Sequence, residues 1–184
     1  GRGSSSNSSN SVKPSSVAGI PSGISATVGD TQATVTWSAP DSDGGAAISD
    51  YLIQYSSNNG DTWSTFAHTA SPSTSATVTG LTNGTSYVFR VAAINASGTG
   101  TASSASVSVT PATTPGAPTS VSATSNANAQ SVVTWTAPVS TGGSSITDYV
   151  IEYSSDSGST WTTFNDGTST TASATVTGLT NGTS

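Results

Sequence analysis

Few side chains in this 184-residue chain are of a type that does chemistry, and their spacing is poor for it. Catalysis needs acids, bases or nucleophiles held against one another. The one histidine, His68, stands opposite Asp166 in a later copy of the same pattern, and it reads as a solvated loop residue. Serines are abundant, yet none sits in a Gly-x-Ser-x-Gly elbow. Asp41-Ser-Asp43-Gly-Gly45 has the look of a calcium loop but lacks the further ligands and the closing bidentate Glu that such a loop requires. The later copy carries Val139 and Thr141 at those two acidic positions, so turn formation explains them better, with a weak calcium contact of Asp41, Asp43 and Asp50 as the alternative. No cysteine is present, which excludes disulfides and thiolate metal sites. The expectation is therefore no catalytic residue, no metal ligand and no cofactor.

Two kinds of binding residue remain. Trp63 and Trp161 occupy matching places near a sheet margin, where an exposed indole would stack on a sugar ring; the alternative is that each packs on its own sheet. Asn7, Asn83, Asn95 and Asn181 each begin an Asn-x-Ser/Thr sequon, although turn formation accounts equally well for Asn83 and Asn181.

The elements that would position these residues repeat. Trp37, Tyr51, Trp63 and Leu81 recur as Trp135, Tyr149, Trp161 and Leu179, each 98 positions later, and Ser75–Ser86 is identical to Ser173–Ser184. A period of that length means an array of whole domains. Apolar residues alternate over short runs separated by turn signals, which is the pattern of strands with one buried face. Strands are expected around Ile24 and Ala26, around Ala33 to Trp37, from Ile48 through Tyr55, at Trp63–Phe66, at Ala76 and Val78, from Tyr87 to Ala93, and at Ala105, Val107 and Val109. No segment keeps a helical period.

Seven short strands in about 95 residues suit an immunoglobulin-like sandwich. With Pro21 before the first strand, Trp37 on the second, Tyr51-Leu-Ile-Gln-Tyr55 on the third and Leu81 six residues ahead of Tyr87, the chain resembles tandem fibronectin type III domains of the bacterial or viral surface-protein kind. The resemblance implies an all-β fold of two tandem seven-stranded sandwiches. It also implies a tyrosine corner, with the Tyr87 hydroxyl bonding back to backbone near Leu81. The expected divisions are a Ser/Asn-rich linker over 1–16, a first domain over 17–111 and a second over 112–184. The second copy stops before its sixth and seventh strands, which would leave an apolar face and a strand edge open. The expectation is that the sequence is a piece of a longer chain, with strand donation by a partner as the alternative. The link Pro111-Ala-Thr-Thr-Pro115-Gly-Ala-Pro118 predicts a semi-rigid connection, a rod that bends at Gly116.

Charge narrows the partners. Charged residues make up 7% of the chain, against about 25% in an average protein. Three basic residues face nine acidic ones, for a net charge of -6. That excludes a nucleic-acid footprint and attraction to an anionic membrane surface. No apolar run approaches the roughly 20 residues of a membrane span. No signal peptide is visible and the chain begins with Gly1, so the start is expected to be processed, cut or not included. Gly1-Arg2-Gly3 is not followed by Asp, so the integrin tripeptide found in some members of the resembled family is absent.

The nearly uncharged surface, with few sites for trypsin-like proteases, points to life outside a cell: a cell surface or a virion surface. The expected role is a non-enzymatic structural or adhesive spacer, in a bacterial adhesin or filament or a virion fibre or decoration. Its partners would be neighbouring repeats and proteins or glycans at a surface. The alternatives are accessory linker domains of a secreted polysaccharide-degrading enzyme, or a carbohydrate-binding module.

Overall fold

The computed structural model describes Gly1 and residues 14–183, apart from the side chains of residues 126 and 127. Of the expected linker over 1–16, residues 2–13 lie outside the described residues. The described chain contains strands and no helix, hence no helix long and apolar enough to cross a membrane. It divides into two units, Gly1–Pro111 and Ala112–Ser184.

The first unit has seven strands: β1 (Ser22–Gly29), β2 (Gln32–Ser38), β3 (Asp50–Ser56), β4 (Ser64–Thr65), β5 (Ser75–Thr79), β6 (Val88–Asn95) and β7 (Gly98–Thr99). They form two antiparallel sheets, β1-β2-β5 and β4-β3-β6-β7. The register follows the alternation in the sequence: Ala33 and Val35 pair with Val78 and Ala76, while Tyr51 and Ile53 pair with Ala93 and Val91. Those side chains, with Trp37, Leu81, Tyr87 and Phe89, make one core between the sheets. Trp37 meets Tyr51 edge to face, with ring centroids 5.1 Å apart. Their alternates on the β1-β2-β5 sheet turn hydroxyls to solvent, where Thr34 pairs with Thr77 and Ser25 with Thr36 at 3.2 Å. The indole N–H of Trp37 is buried without an acceptor.

The end of this unit departs from the expected seventh strand. An alternating strand through Ala105, Val107 and Val109 would bury Val107, which is 84% exposed. Successive β6-side carbonyls at Ala93, Val91, Phe89 and Tyr87 instead receive N–H donors from Gly100, Ser103, Ser106 and Val109. The partner segment thus spends three residues for every two opposite, a bulge repeated along the edge. At Tyr87 the Val109 carbonyl still accepts the N–H at 2.8 Å, but at the next two places serine hydroxyls stand in for carbonyls: Val91 N–H donates to Ser103 Oγ (3.1 Å) and Phe89 N–H to Ser106 Oγ (3.0 Å). Only β7, at Gly98–Thr99, pairs there as a regular strand.

The described strands of the second unit correspond to β1–β5: β8 (Thr119–Ala127), β9 (Gln130–Thr136), β10 (Ile151–Tyr153), β11 (Thr162–Phe164) and β12 (Ser173–Thr177). They form the sheets β12-β9-β8 and β10-β11. Ile151 and Val176 are buried, and Trp135 meets Tyr149 at 5.0 Å as Trp37 meets Tyr51. Trp135 itself is half-buried. Between the two sheets lies an open hollow of about 580 Å³, with Val133, Tyr153, Val176 and Leu179 in its lining.

The bend expected at Gly116 is not at a free residue. Gly116 N–H donates to Ser140 O at 2.9 Å, so this glycine is held inside the second unit.

Candidate functional site

His68 is an exposed residue of the loop after β4 whose ring leans on its neighbours. The side chain alone is 20% exposed. Nδ1 and Nε2 each lie 2.9 Å from a backbone carbonyl oxygen, of Thr69 and Tyr51 respectively. The ring stacks on Phe66 with centroids 5.9 Å apart. Each nitrogen faces a backbone carbonyl, to one of which the neutral ring donates, and among the described residues no hydroxyl is hydrogen-bonded to the ring. Asp50, 3.9 Å from Nδ1, accepts the Ser71 N–H at 3.0 Å, and Asp148 accepts that of Ser169 in the same way. This carboxylate ties the chain beside β3 rather than activating the ring.

The acidic loop is likewise a turn. Asp43 Oδ1 accepts the Gly45 N–H at 2.8 Å. Among the described residues no group of three or more His, Cys, Asp or Glu side chains is placed to hold a metal ion.

The two tryptophans share one device. After β3, Gly60 N–H donates to Ser56 Oγ (2.9 Å), and Asn58 Oδ1 accepts from Ser56 Oγ–H (2.7 Å) and from Thr62 N–H (3.0 Å). Gly60 adopts φ +98°, and a Cβ there would stand 3.3 Å from the Trp63 ring. In the second unit Ser154, Asp156, Gly158, Thr160 and Trp161 repeat the arrangement. Asp156 replaces Asn58. Hydrogen bonds from the Thr160 hydroxyl and N–H, then from Ser154, lower its carboxyl from 3.8 to about 2. The recurring Ser-x-Asn/Asp-x-Gly-x-Thr-Trp spacing is the sequence signal for this hairpin.

The outer surroundings of the two rings differ. Trp63 is half-buried, with the Arg90 guanidinium 4.2 Å above its ring and Arg90 Nε donating to Gln54 Oε1 at 2.8 Å. Trp161 is 61% exposed.

Tyr87 is buried beside Leu81, and its hydroxyl accepts the Thr82 N–H at 3.1 Å. Asn83 ties the same loop to the β1–β2 turn: its Oδ1 accepts the Thr31 N–H (2.9 Å) and its Nδ2 donates to Asp30 (2.7 Å). Asn181 bonds Ala129 and Asn128 in the same way. Asn95, 4% exposed, donates from Nδ2 to Ser16 O and Asp43 O. These three sequon asparagines are thus engaged in structural bonds, while Asn7 lies outside the described residues. What these side chains do together is hold loops to sheets.

Comparison with known proteins agrees with this architecture. The family description "Fibronectin type III domain" matches residues 19–110 and 116–184. Fast-type myosin-binding protein C of Gallus gallus is 26% identical over 138 residues, 75% of this chain, and the chain spans 12% of that protein's length. A crystal structure of a run of titin domains is 30% identical with a TM-score of 0.49, covering 52% of this chain and 32% of that one. The FN1–FN3 domains of chicken CNTN1 are 24% identical with a TM-score of 0.49, covering 86% and 55%.

Proposed function

The chain belongs to the fibronectin type III family, and from that premise we propose that its two units are a non-enzymatic structural spacer within a larger protein. The observation that carries this reading is the use of the polar side chains just described. His68, Asp50, Asn83, Asn95 and the serines of the β6 edge are each engaged with backbone within the first unit. A fold whose reactive groups are consumed by its own loops supplies stiffness and length. The same fold hosts many roles, so the role must come from such details.

The finer reading is a surface-exposed setting: a bacterial adhesin or filament, or a virion fibre or decoration. Its support is compositional, with no cysteine, three Lys and Arg residues in all, and an outer face of hydroxyls. Partners in this reading are neighbouring repeats and proteins or glycans at that surface. Direct glycan contact in this reading falls to Trp63 and Trp161, which stand at matching places just before β4 and β11. Accessory domains of a secreted polysaccharide-degrading enzyme are the alternative setting.

The test is replacement of both units, within the full-length protein, by an unrelated pair of sandwiches of equal length. A spacer predicts retained function. Lost function with normal expression and folding would assign a specific surface to these units instead.

A further inference from the structure

Ser16 and Gly19, just ahead of β1, are bonded to the loop before β3. Ser16 N–H donates to Gly44 O and Gly19 N–H to Ser42 O, both at 2.8 Å. Both acceptors lie in the β2–β3 loop. From the other side Asn95, at the end of β6, donates to Ser16 O at 2.8 Å and to Asp43 O at 2.7 Å, while its Oδ1 accepts the Ser97 N–H. One buried amide therefore joins the lead-in segment, the loop and the β6–β7 hairpin. Gly44 sits at φ +73° with no side chain, and a Cβ there would overlap Ser16 O and come within 2.6 Å of Val17 O. The groove has room for backbone and for nothing more.

The loop half of this groove recurs in the second unit. Thr113 N–H donates to Gly142 O (2.8 Å) and Gly116 N–H to Ser140 O (2.9 Å). Gly142 has φ +72°, and a Cβ would overlap Thr113 O and stand 2.8 Å from Thr114 O. The donors Ser16 and Thr113 are 97 positions apart, the acceptors Gly44 and Gly142 are 98 apart. The extra residue is taken up inside the β8–β9 pairing, whose register slips between Ser125 and Ala127. The groove contact is kept although the spacing changed.

We propose that the loop before β3, and its counterpart before β10, is a built receptor for extended backbone, filled in cis by the segment that leads into each unit. The lead-in is then part of the fold. Among the described residues, Pro111 O accepts the Gly84 N–H within the first unit and Thr113 N–H donates to Gly142 O within the second. This holds whether or not the units serve as a spacer.

Amide hydrogen exchange on the intact chain tests it. Ser16, Gly19, Thr113 and Gly116 should exchange at least about tenfold more slowly than Ala112 and Thr114, as amides held in structure do. Gly44→Ala should speed exchange at Ser16 and Gly19 by about tenfold, the loss of roughly one hydrogen bond's worth of protection, with Ile53 and Val91 still protected. Exchange at Ser16 and Gly19 as fast as at Ala112 in the unaltered chain would overturn the proposal. So would unchanged protection at Ser16 in a folded Gly44→Ala chain. Should that variant unfold, the unaltered chain decides alone.

Discussion

Ser103→Ala isolates the bulged edge of the first unit. The Ser103 hydroxyl accepts the Val91 N–H at 3.1 Å in a place where Val91 is 0% exposed and Ser103 is 8% exposed. In a regular ladder a backbone carbonyl would stand there, and a serine change would cost little. Here the β-methyl that replaces the hydroxyl leaves Val91 N–H without a partner and without access to water. An orphaned buried donor costs about 1–3 kcal/mol, more than the roughly 1 kcal/mol net value of an average hydrogen bond. For a unit of this size each kcal/mol moves the melting temperature by about 4–8 °C. The assay is urea unfolding read on the amide signals of β3 and β6, with Ser104→Ala as the control, since Ser104 is exposed and its hydroxyl bonds nothing among the described residues. Ser103→Thr, which keeps a hydroxyl, should recover most of the loss. A Ser103→Ala effect no larger than that of Ser104→Ala would refute the reasoning, because the carbonyls of residues 101–108 would then be reaching β6 by themselves.

Four further outcomes are expected. Tyr87→Phe should cost the first unit about 1–2 kcal/mol in urea unfolding, by orphaning the Thr82 N–H; a change of a few tenths would contradict the corner. Trp37→Ala should cost about 3–5 kcal/mol as a large core truncation, and full thermal stability would place Trp37 outside the core. Arg90→Ala should lose about 0.5–1 kcal/mol of cation–π attraction and shift Trp63 emission; an unchanged spectrum would separate the two groups. The Asp156 carboxyl, lowered to about 2 from 3.8 by its hydrogen bonds, should hold its turn above about pH 4 and release it as pH falls through about 2, because a depressed folded-state pKa contributes stability only while the group is ionised. Carbon-detected titration giving Asp156 an ordinary midpoint near 3.8 would contradict that network.

The alternation of Ala33, Val35 and Trp37, and of Tyr51, Ile53 and Tyr55, was legible as strands because one sheet face is buried and the period is two. The tyrosine corner was implied by the resemblance that Leu81 and Tyr87 carry, and in the structure the Tyr87 hydroxyl accepts the Thr82 N–H. Residues 100–109 were misread because their period is three, and a hydroxyl standing in for a carbonyl leaves no hydrophobic pattern. The contacts of His68 were not legible, because Tyr51 O and Thr69 O are backbone atoms, which no residue type announces. Gly116 looks like a hinge by composition; its bond to Ser140 O depends on a backbone carbonyl of the loop before β10, which no residue type announces.

Stretching the single chain tests the structural role most directly. Ser16 to Pro111 is held by backbone bonds at both ends, so the first unit should resist and then yield in one event. At about 3.3–3.6 Å per residue of extended chain, that event should release on the order of 300 Å. Gradual lengthening at low force, with no discrete step of that size, would contradict a spacer that carries load through its own fold.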